Sequence, residues 1–569
     1  MLITERQLPT DFPSLPVHPI LARIYASRGV KHEQELELTL KHLIPWNQLK
    51  DIDKAVALLL PIVQQGKKLL IVGDFDVDGA TSTALTIRAL RALGATQVSY
   101  LVPNRFDYGY GLSPELAQVA LQQAPDLIMT VDNGIASHAG IELAKRSGVP
   151  VLVTDHHLPA ATLPSAAAIV NPNQPDCRFP SKAACGCTVA FYVMLALRAK
   201  LVELNALPEP APNFAELLDL VALATVADVV PLDRNNRILV EQGLRRIRSG
   251  HGHAGINALI EVAGRQASKL VAADFGFGLG PRINAAGRLD DMSLGIECLL
   301  TDNFEQARQL AQELDEMNRS RREIEQGMQL EAQRYLDKLS LQNNHPHGLV
   351  LYQHDWHQGV IGILASRVKE QAHRPVVVLA DGEDGLIKGS ARSIPGFHLR
   401  DALAELDSAA PHLITKFGGH AMAAGLSLER GSIDEFRKLF EQICAAHLTP
   451  AQLQQRVETD GSLSSQDFTL DLAQQLRMAG PWGQTFPEPS FVGDFLVLEQ
   501  RLLKERHLKM WLKPLGTEQV LEAIWFGINL KEWPDPQVKQ VKLAYQLDVN
   551  EFRGEQNIQL MVRAVLKLA

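Results

Sequence analysis

Lys68-Leu-Leu-Ile-Val-Gly-Asp-Phe-Asp-Val-Asp-Gly79 is a short apolar run that ends in three carboxylates at alternate positions. Four apolar residues without polar alternation read as a strand buried on both faces, the pattern of a parallel sheet. Gly79 frees the backbone to turn into a helix-like segment, Ala80 to Leu93. Asp74, Asp76 and Asp78 are crowded, so each raises the pKa of the others unless a cation neutralises them. A bound divalent metal is the simplest resolution.

Other readings of this stretch remain open. An EF-hand loop fits Asp74, Asp76, Asp78 and Gly79, but its twelfth position falls on Leu85, where a bidentate Glu is required. A phosphatase of the haloacid dehalogenase type would use Asp76 as nucleophile. A capped turn with solvated acids needs no ligand at all. The segments that follow discriminate among these. Helix and strand patterns alternate from about residue 52, with further strands at Gln97–Val102, Asp126–Val131, Val149–Thr154 and Ala168–Val170. That order implies a parallel sheet with helices on both faces, whose site lies beyond the strand C-termini. The third strand ends in Asp132-Asn-Gly134 and the fourth in Asp155-His-His157. Asp228 interrupts the apolar run Leu220–Leu232, where a carboxylate is costly without a partner. Oxygen ligands with one or two imidazoles suit Mn²⁺ or Mg²⁺ better than zinc. The number of acids suggests two ions, roughly 3.5–4 Å apart, activating water for in-line displacement at phosphorus. The residues by themselves read as a two-metal phosphoesterase.

Asp74-Phe-Asp-Val-Asp-Gly79, Asp132-Asn-Gly134, Asp155-His-His157 and the Asp228 segment resemble the DHH phosphoesterase superfamily. The resemblance continues through Gly278-Leu-Gly-Pro-Arg-Ile-Asn-Ala-Ala-Gly-Arg-Leu289 and Gly418-Gly-His-Ala-Met-Ala-Ala-Gly425, and so covers nearly the whole chain. It implies metal ligation by Asp74, Asp76, Asp78, Asp132, His156 and Asp228, with Asp132 as the bridge. It places His157 at the scissile phosphate or leaving oxygen, with Asp155 orienting His156. The cofactors implied are two divalent cations, Mn²⁺ or Mg²⁺. Arg105, Arg282, Asn284 and Arg288 are expected to face nucleic acid near its terminal phosphate, an Arg fork being able to bond two oxygens. One departure stands out: Thr188 in Gly186-Cys-Thr-Val-Ala-Phe191 replaces a glycine usual in the family, which questions a close backbone approach there.

Composition sets the bounds. The chain has 569 residues, 46 % hydrophobic and 21 % charged, so several domains of ordinary globular character are expected. No signal pattern or spanning apolar run is read, and a cytoplasmic protein with no membrane contact follows as the expectation. Five cysteines fit a reducing compartment, and Cys177, Cys185 and Cys187 lack the partners of a zinc site. A net charge of −9 argues against indiscriminate coating of nucleic acid, though not against a local basic channel.

The expected organisation is an α/β protein of five parts. A lead-in, 1–50, contains a helix at Pro19–Ser27 and packs on the first domain. The parallel-sheet DHH catalytic domain occupies 51–300; its Arg245, Arg246 and Arg248 read as a solvated helix end or phosphate contacts. A connecting helix, 301–340, follows from apolar spacing at Phe304, Ala307, Leu314 and Met317, about 50 Å at ~1.5 Å per residue. Arg319, Arg321 and Arg322 there read as an exposed face or a cleft lining. The second α/β domain, 341–450, is DHHA1-type, with Lys388–Ser393 and Lys416–His420 as loops. In it Ser390, Arg392, Gly418, Gly419 and His420 are candidate nucleic-acid contacts. Residues 451–569 show five short strands, an OB-fold β-barrel, whose segment Arg501–Trp511 suits single-strand binding. The resemblance implies a monomeric 5′-to-3′ exonuclease on single-stranded DNA, partnered by a single-strand-binding protein and a helicase. A phosphodiesterase for short oligonucleotides or cyclic dinucleotides and a non-catalytic clamp are the alternatives.

Overall fold

The computed structural model describes residues 2–568 except 13, 105–107, 109, 342–345 and 383–384, and the backbone alone at 339–341. The chain forms two compact units, one of residues 3–316 with 458–569 and one of residues 317–457 with the N-terminal end.

In the first unit five strands form an all-parallel sheet in the order Val98–Leu101, Leu69–Val72, Leu127–Val131, Val151–Thr154, Ala168–Val170. Leu69–Val72 and Leu127–Val131 are buried at every residue, as a sheet covered on both faces requires. Helices Pro114–Gln122 and His138–Arg146 pack Leu116, Ala120 and Ile141 against Leu70, Val72 and Ile128. Gly186–Glu203 and Leu218–Ala227 are apolar almost all round and correspondingly buried.

Residues 458–569 return to this unit. Phe491–Leu503, His507–Pro514, Leu521–Trp525, Glu555–Lys567 and Gln540–Phe552 close a barrel in that spatial order, the OB arrangement with one parallel pair. Phe491, Phe495 and Tyr545 fill its core, whereas Phe526 and Phe552 are exposed. The N-terminal helix Pro19–Ser27 does more than pack on the first domain. Its Tyr25 hydroxyl donates to the Ala479 carbonyl at 2.7 Å, and its ring stacks with Trp482 and Phe486. The guanidinium of Arg237, in helix Arg234–Arg248, lies 4.2 Å over the Phe486 ring.

The helix Phe304–Leu341 begins in the first unit and ends in the second. The second unit has a mixed sheet in the order Ile414–Gly419, Ala423–Leu428, Ile387–Arg392, Val376–Asp381, Leu349–Tyr352. Two sequence expectations change here. Lys388-Gly-Ser-Ala-Arg392 and Lys416-Phe-Gly-Gly419 are strands, not loops, because cross-strand pairing with Ala423–Leu428 orders glycine-rich segments that carry little local signal.

Candidate metal centre

The sheet order reverses between Leu69–Val72 and Leu127–Val131, whose neighbours run outward in opposite directions. The crevice beyond the C-terminal ends of such a strand pair is where open α/β sheets bind ligands. Asp74, Asp76 and Asp78 follow the first strand and Asp132 follows the second. Asp155, His156 and His157 follow the next strand, and Asp228 caps the C-terminal end of Leu218–Ala227.

Local chemistry fixes these groups. Asp132 sits at φ 61°, a left-handed conformation that Asp tolerates, with its N–H donated to the Thr154 carbonyl. The Asn133 amide donates to the Val72 and Val131 carbonyls at 3.1 and 2.9 Å, tying the two strand ends together. Gly79 permits close approach: a Cβ there would stand 2.5 Å from the Asp74 carbonyl oxygen. Asp78 accepts N–H bonds from Gly186 and Cys187 at 2.6 and 2.8 Å, the first amides of helix Gly186–Glu203. An added Cβ on Gly186 would lie 2.5 Å from Asp132 Cβ, so the close approach in this motif belongs to Gly186. Thr188 lies within the helix with its hydroxyl beside Cys185 Sγ, and its replacement of a glycine leaves that approach intact.

Three groups of donor atoms, each within 4.8 Å of one another, result: Asp74, Asp76 and Asp132; Asp78, His156 and Asp228; and Asp132, His156 and His157. His156 Nε2 stands 3.1 Å from Asp132 Oδ1, 3.5 Å from Asp228 Oδ2 and 3.7 Å from Asp78 Oδ2. Asp132 is thus shared between an all-carboxylate group and an imidazole-containing one. Burial pushes the carboxyls of Asp132 and Asp228 well above the usual range, and the charges of Asp78 and Asp76 push them further. Asp76 is raised for the same reasons, opposed by the Gly79 N–H, His157 and Arg288. Asp132 Oδ1 and Asp228 Oδ2 are buried and accept no hydrogen bond among the described residues. Oxygen-rich like charges buried together suit hard divalent cations, and these residues fit them.

Asp155 departs from its expected role. Its carboxylate accepts N–H bonds from Ile135, His156 and His157 and pairs with His157 Nδ1 at 2.7 Å. Among the described contacts it bonds the ring of His157 and the backbone N–H of His156, the geometry of a group that orients the His157 imidazole. Burial opposes the charged form of His157, but the bond and charge of Asp155 outweigh it and raise the pKa to about 9.

The basic candidates divide. Arg282 is 8 % exposed, ion-paired with Asp315 at 2.8 Å and bonded to the Gly278 and Val262 carbonyls. That fastens the helix Gly280–Leu289 and corrects the expectation of a phosphate contact. Asn284 Oδ1 accepts from Val77 N–H at 3.2 Å, bracing the acidic loop. Arg288 is half-buried and acts electrostatically on Asp76. Arg245 is exposed and pairs with Glu241 one turn away in its helix, whereas Arg321 is buried against Glu325 and Asn318 and is no open phosphate contact. Arg105 lies outside the described residues. In the second unit Ser390 and Arg392 share one strand, and an added Cβ on Gly362 would stand 3.0 Å from each. Gly418 and Gly419 pair with Gly425 and Ala424 on the edge strand, with exposed His420 at its end.

Sequence reasoning missed three groups. The Tyr110 hydroxyl donates to the Asp132 carbonyl at 3.1 Å and lies 3.1 Å from His157 Nδ1. Asn171 and Asn173 donate to the carbonyls of His157 and His156. Their signal was placement: each lies in a segment that follows a strand end of the same sheet.

Family models match in three places: the N-terminal domain of the DHH family at residues 68–225, the DHHA1 domain at 345–446 and the RecJ OB domain at 459–564. The single-stranded-DNA-specific exonuclease RecJ of Escherichia coli K12 is 55 % identical over 98 % of this chain and 96 % of its own length. That of Haemophilus influenzae is 52 % identical over 99 % and 98 %. The crystal structure of Thermus thermophilus RecJ in complex with Mn²⁺ superposes with a TM-score of 0.82 at 31 % identity, covering 100 % of this chain and 80 % of that one. With this architecture and these relatives, the chain belongs to the RecJ exonuclease family of the DHH phosphoesterases.

Proposed function

We propose that this chain degrades single-stranded DNA to nucleotides from the 5′ end, in repair and recombination, using two divalent cations, Mn²⁺ or Mg²⁺. The observation that carries the reading is Asp132, shared between the Asp74–Asp76 group and the His156 group at the sheet's switch point. Asp74, Asp76, Asp78, Asp132, His156 and Asp228 would hold the cations, with Asp132 as the bridge. Bound there, the cations would supply a hydroxide nucleophile and charge stabilisation at phosphorus.

The protein's own groups do the rest. Asp78, fixed by two helix amides, cannot swing away. The Asp155 carboxylate accepts the Nδ1–H hydrogen bond of His157 and stabilises the protonated ring, whose Nε2–H can then give its proton to the leaving oxygen. Arg105, Arg288, Ser390, Arg392, Gly418, Gly419 and His420 are the proposed strand contacts, with the barrel as a further binding surface. A monomeric cytoplasmic enzyme, supplied by a helicase and a single-strand-binding protein, belongs to the same reading and rests on the family resemblance alone.

Digestion of strands labelled separately at each end, with Mn²⁺ and with Asp132→Ala alongside, tests it. Label is expected first from the 5′ end of single strands. Release first from the 3′ end, or equal cutting of duplex, overturns the polarity or strand specificity; an active Asp132→Ala overturns the metal assignment.

A further inference from the structure

Phe275–Leu279 makes a single π-helical turn, with the Gly280 N–H reaching back to the Phe275 carbonyl. Such turns displace the residues they carry from a regular helix face. This one carries Phe277, 78 % exposed and flanked by Gly276 and Gly278. The turn lies against the acidic centre. An added Cβ on Gly280 would stand 3.2 Å from Ala227 Cβ and 3.9 Å from Val77 Cγ2, and one on Gly276 would stand 3.7 Å from Val226 Cγ1. Ala227 immediately precedes Asp228, and Val77 separates Asp76 from Asp78.

Val229, on the other side of Asp228, is equally out of place. It is 63 % exposed at φ 58°, where a β-branched residue is strained and a helix end ordinarily carries Gly or Asn. Neither residue buries apolar surface worth having, so folding gives no reason for a phenylalanine at one position or a valine at the other. Strain and exposed apolar surface beside a charged centre point to a ligand with an apolar face. In a nuclease that ligand is an unpaired nucleobase, whose π-face stacks on an aromatic ring regardless of sequence.

We propose that Phe277, together with the exposed Val229, is the platform on which a base of the substrate strand stacks, setting the adjoining phosphate over the acidic centre. A base held in a duplex cannot offer its face, so the platform favours single strands. The inference rests on the exonuclease reading above.

The test compares wild type, Phe277→Ala, Phe277→Trp and Val229→Gly on a single strand and on the same strand with five abasic residues at the digested end. Phe277→Ala is expected to raise KM about tenfold on the normal strand, leave kcat and thermal stability unchanged, and behave as wild type on the abasic one. Phe277→Trp restores the wild-type KM. Val229→Gly is expected to raise Tm while raising KM. An alanine variant equal to wild type on the normal strand, or equally impaired on both strands, overturns the platform alone. A wild type that digests neither strand overturns the exonuclease reading and the platform with it.

Discussion

Asp460 is buried against a cation, Asp132 against other acids. The Asp460 side chain, with no exposed surface, takes a two-pronged contact from Arg28 at 2.7 and 3.0 Å, and a further N–H from Ser490. Both of its oxygens are thus bonded, and the pair joins the N-terminal helix to the segment leading into the barrel. Around Asp132 the acids Asp78, Asp76, Asp74 and Asp228 crowd in beside the His156 imidazole, and burial already disfavours the charge. The first arrangement is complete as folded; in the second the carboxyls are pushed toward their protonated form, and a bound cation would relieve that. Burial of a charge therefore says little about function until the sign of its surroundings is known.

Substitutions should separate the two regions. The largest expected effect is on catalysis: Asp132→Ala loses on the order of 10³-fold in steady-state rate, as removal of a group acting on transition-state charge does. Its cation-free form should melt no lower than the wild type, because a repelling carboxylate has gone. A lower Tm would show that Asp132 is built like Asp460. Next comes Arg28→Ala, which strands a buried carboxylate and should cost about 3–5 kcal/mol in urea unfolding. The folded fraction should keep its nuclease rate; a rate falling with stability would couple the two regions.

Chelation comes third. Removing divalent cations from the wild type should lower Tm, and Mn²⁺ at a hundredfold its Kd should restore about 2.7 kcal/mol. Arg28→Ala should respond equally and Asp132→Ala much less, so calorimetry with and without EDTA reads the comparison directly. The smallest effect concerns His157. Asp155→Asn should cost about 10–100-fold in rate, typical of a group that orients another. In cation-free protein the His157 ring should titrate by NMR near pH 9, and the substitution should bring it down. Because that pKa lies above the ordinary 6.5, the Asp155–His157 pair contributes stability that is fully present below about pH 6.5. That contribution is lost as pH rises through about 9. A titration unmoved by Asp155→Asn would dismiss the pair as the cause.

The legible features were those with local causes. Leu69–Val72 and Leu127–Val131 announced themselves through continuous apolar character, and the acids at their ends through mutual repulsion. Two barrel strands run further than their sequence pattern, Phe491–Leu503 beyond Leu498 and Gln540–Phe552 beyond Val549, because they continue into exposed hairpins whose alternation is weak. Ile387–Arg392 and Ile414–Gly419 were read as loops because glycine removes the local signal and only their neighbours order them. Arg282 misled for a related reason. A glycine-flanked arginine looks like a phosphate contact until Asp315, 33 positions on in the sequence, is brought to it.

The sequence by itself determined the fold class, the family and the convergence of Asp74, Asp76, Asp132, His156 and Asp228. The fold class follows from periodicity, the candidate acids from charge placed where burial is expected, and the family with its ligand set from the resemblance of whole motifs to DHH proteins. Only the tertiary structure decided that Asp155 bonds the His157 ring, that helix Gly186–Glu203 anchors Asp78, and that Phe277 stands exposed on a π-turn. Each of those depends on which distant segment lies within a hydrogen bond's reach or leaves a side chain uncovered, and no local pattern encodes that distance.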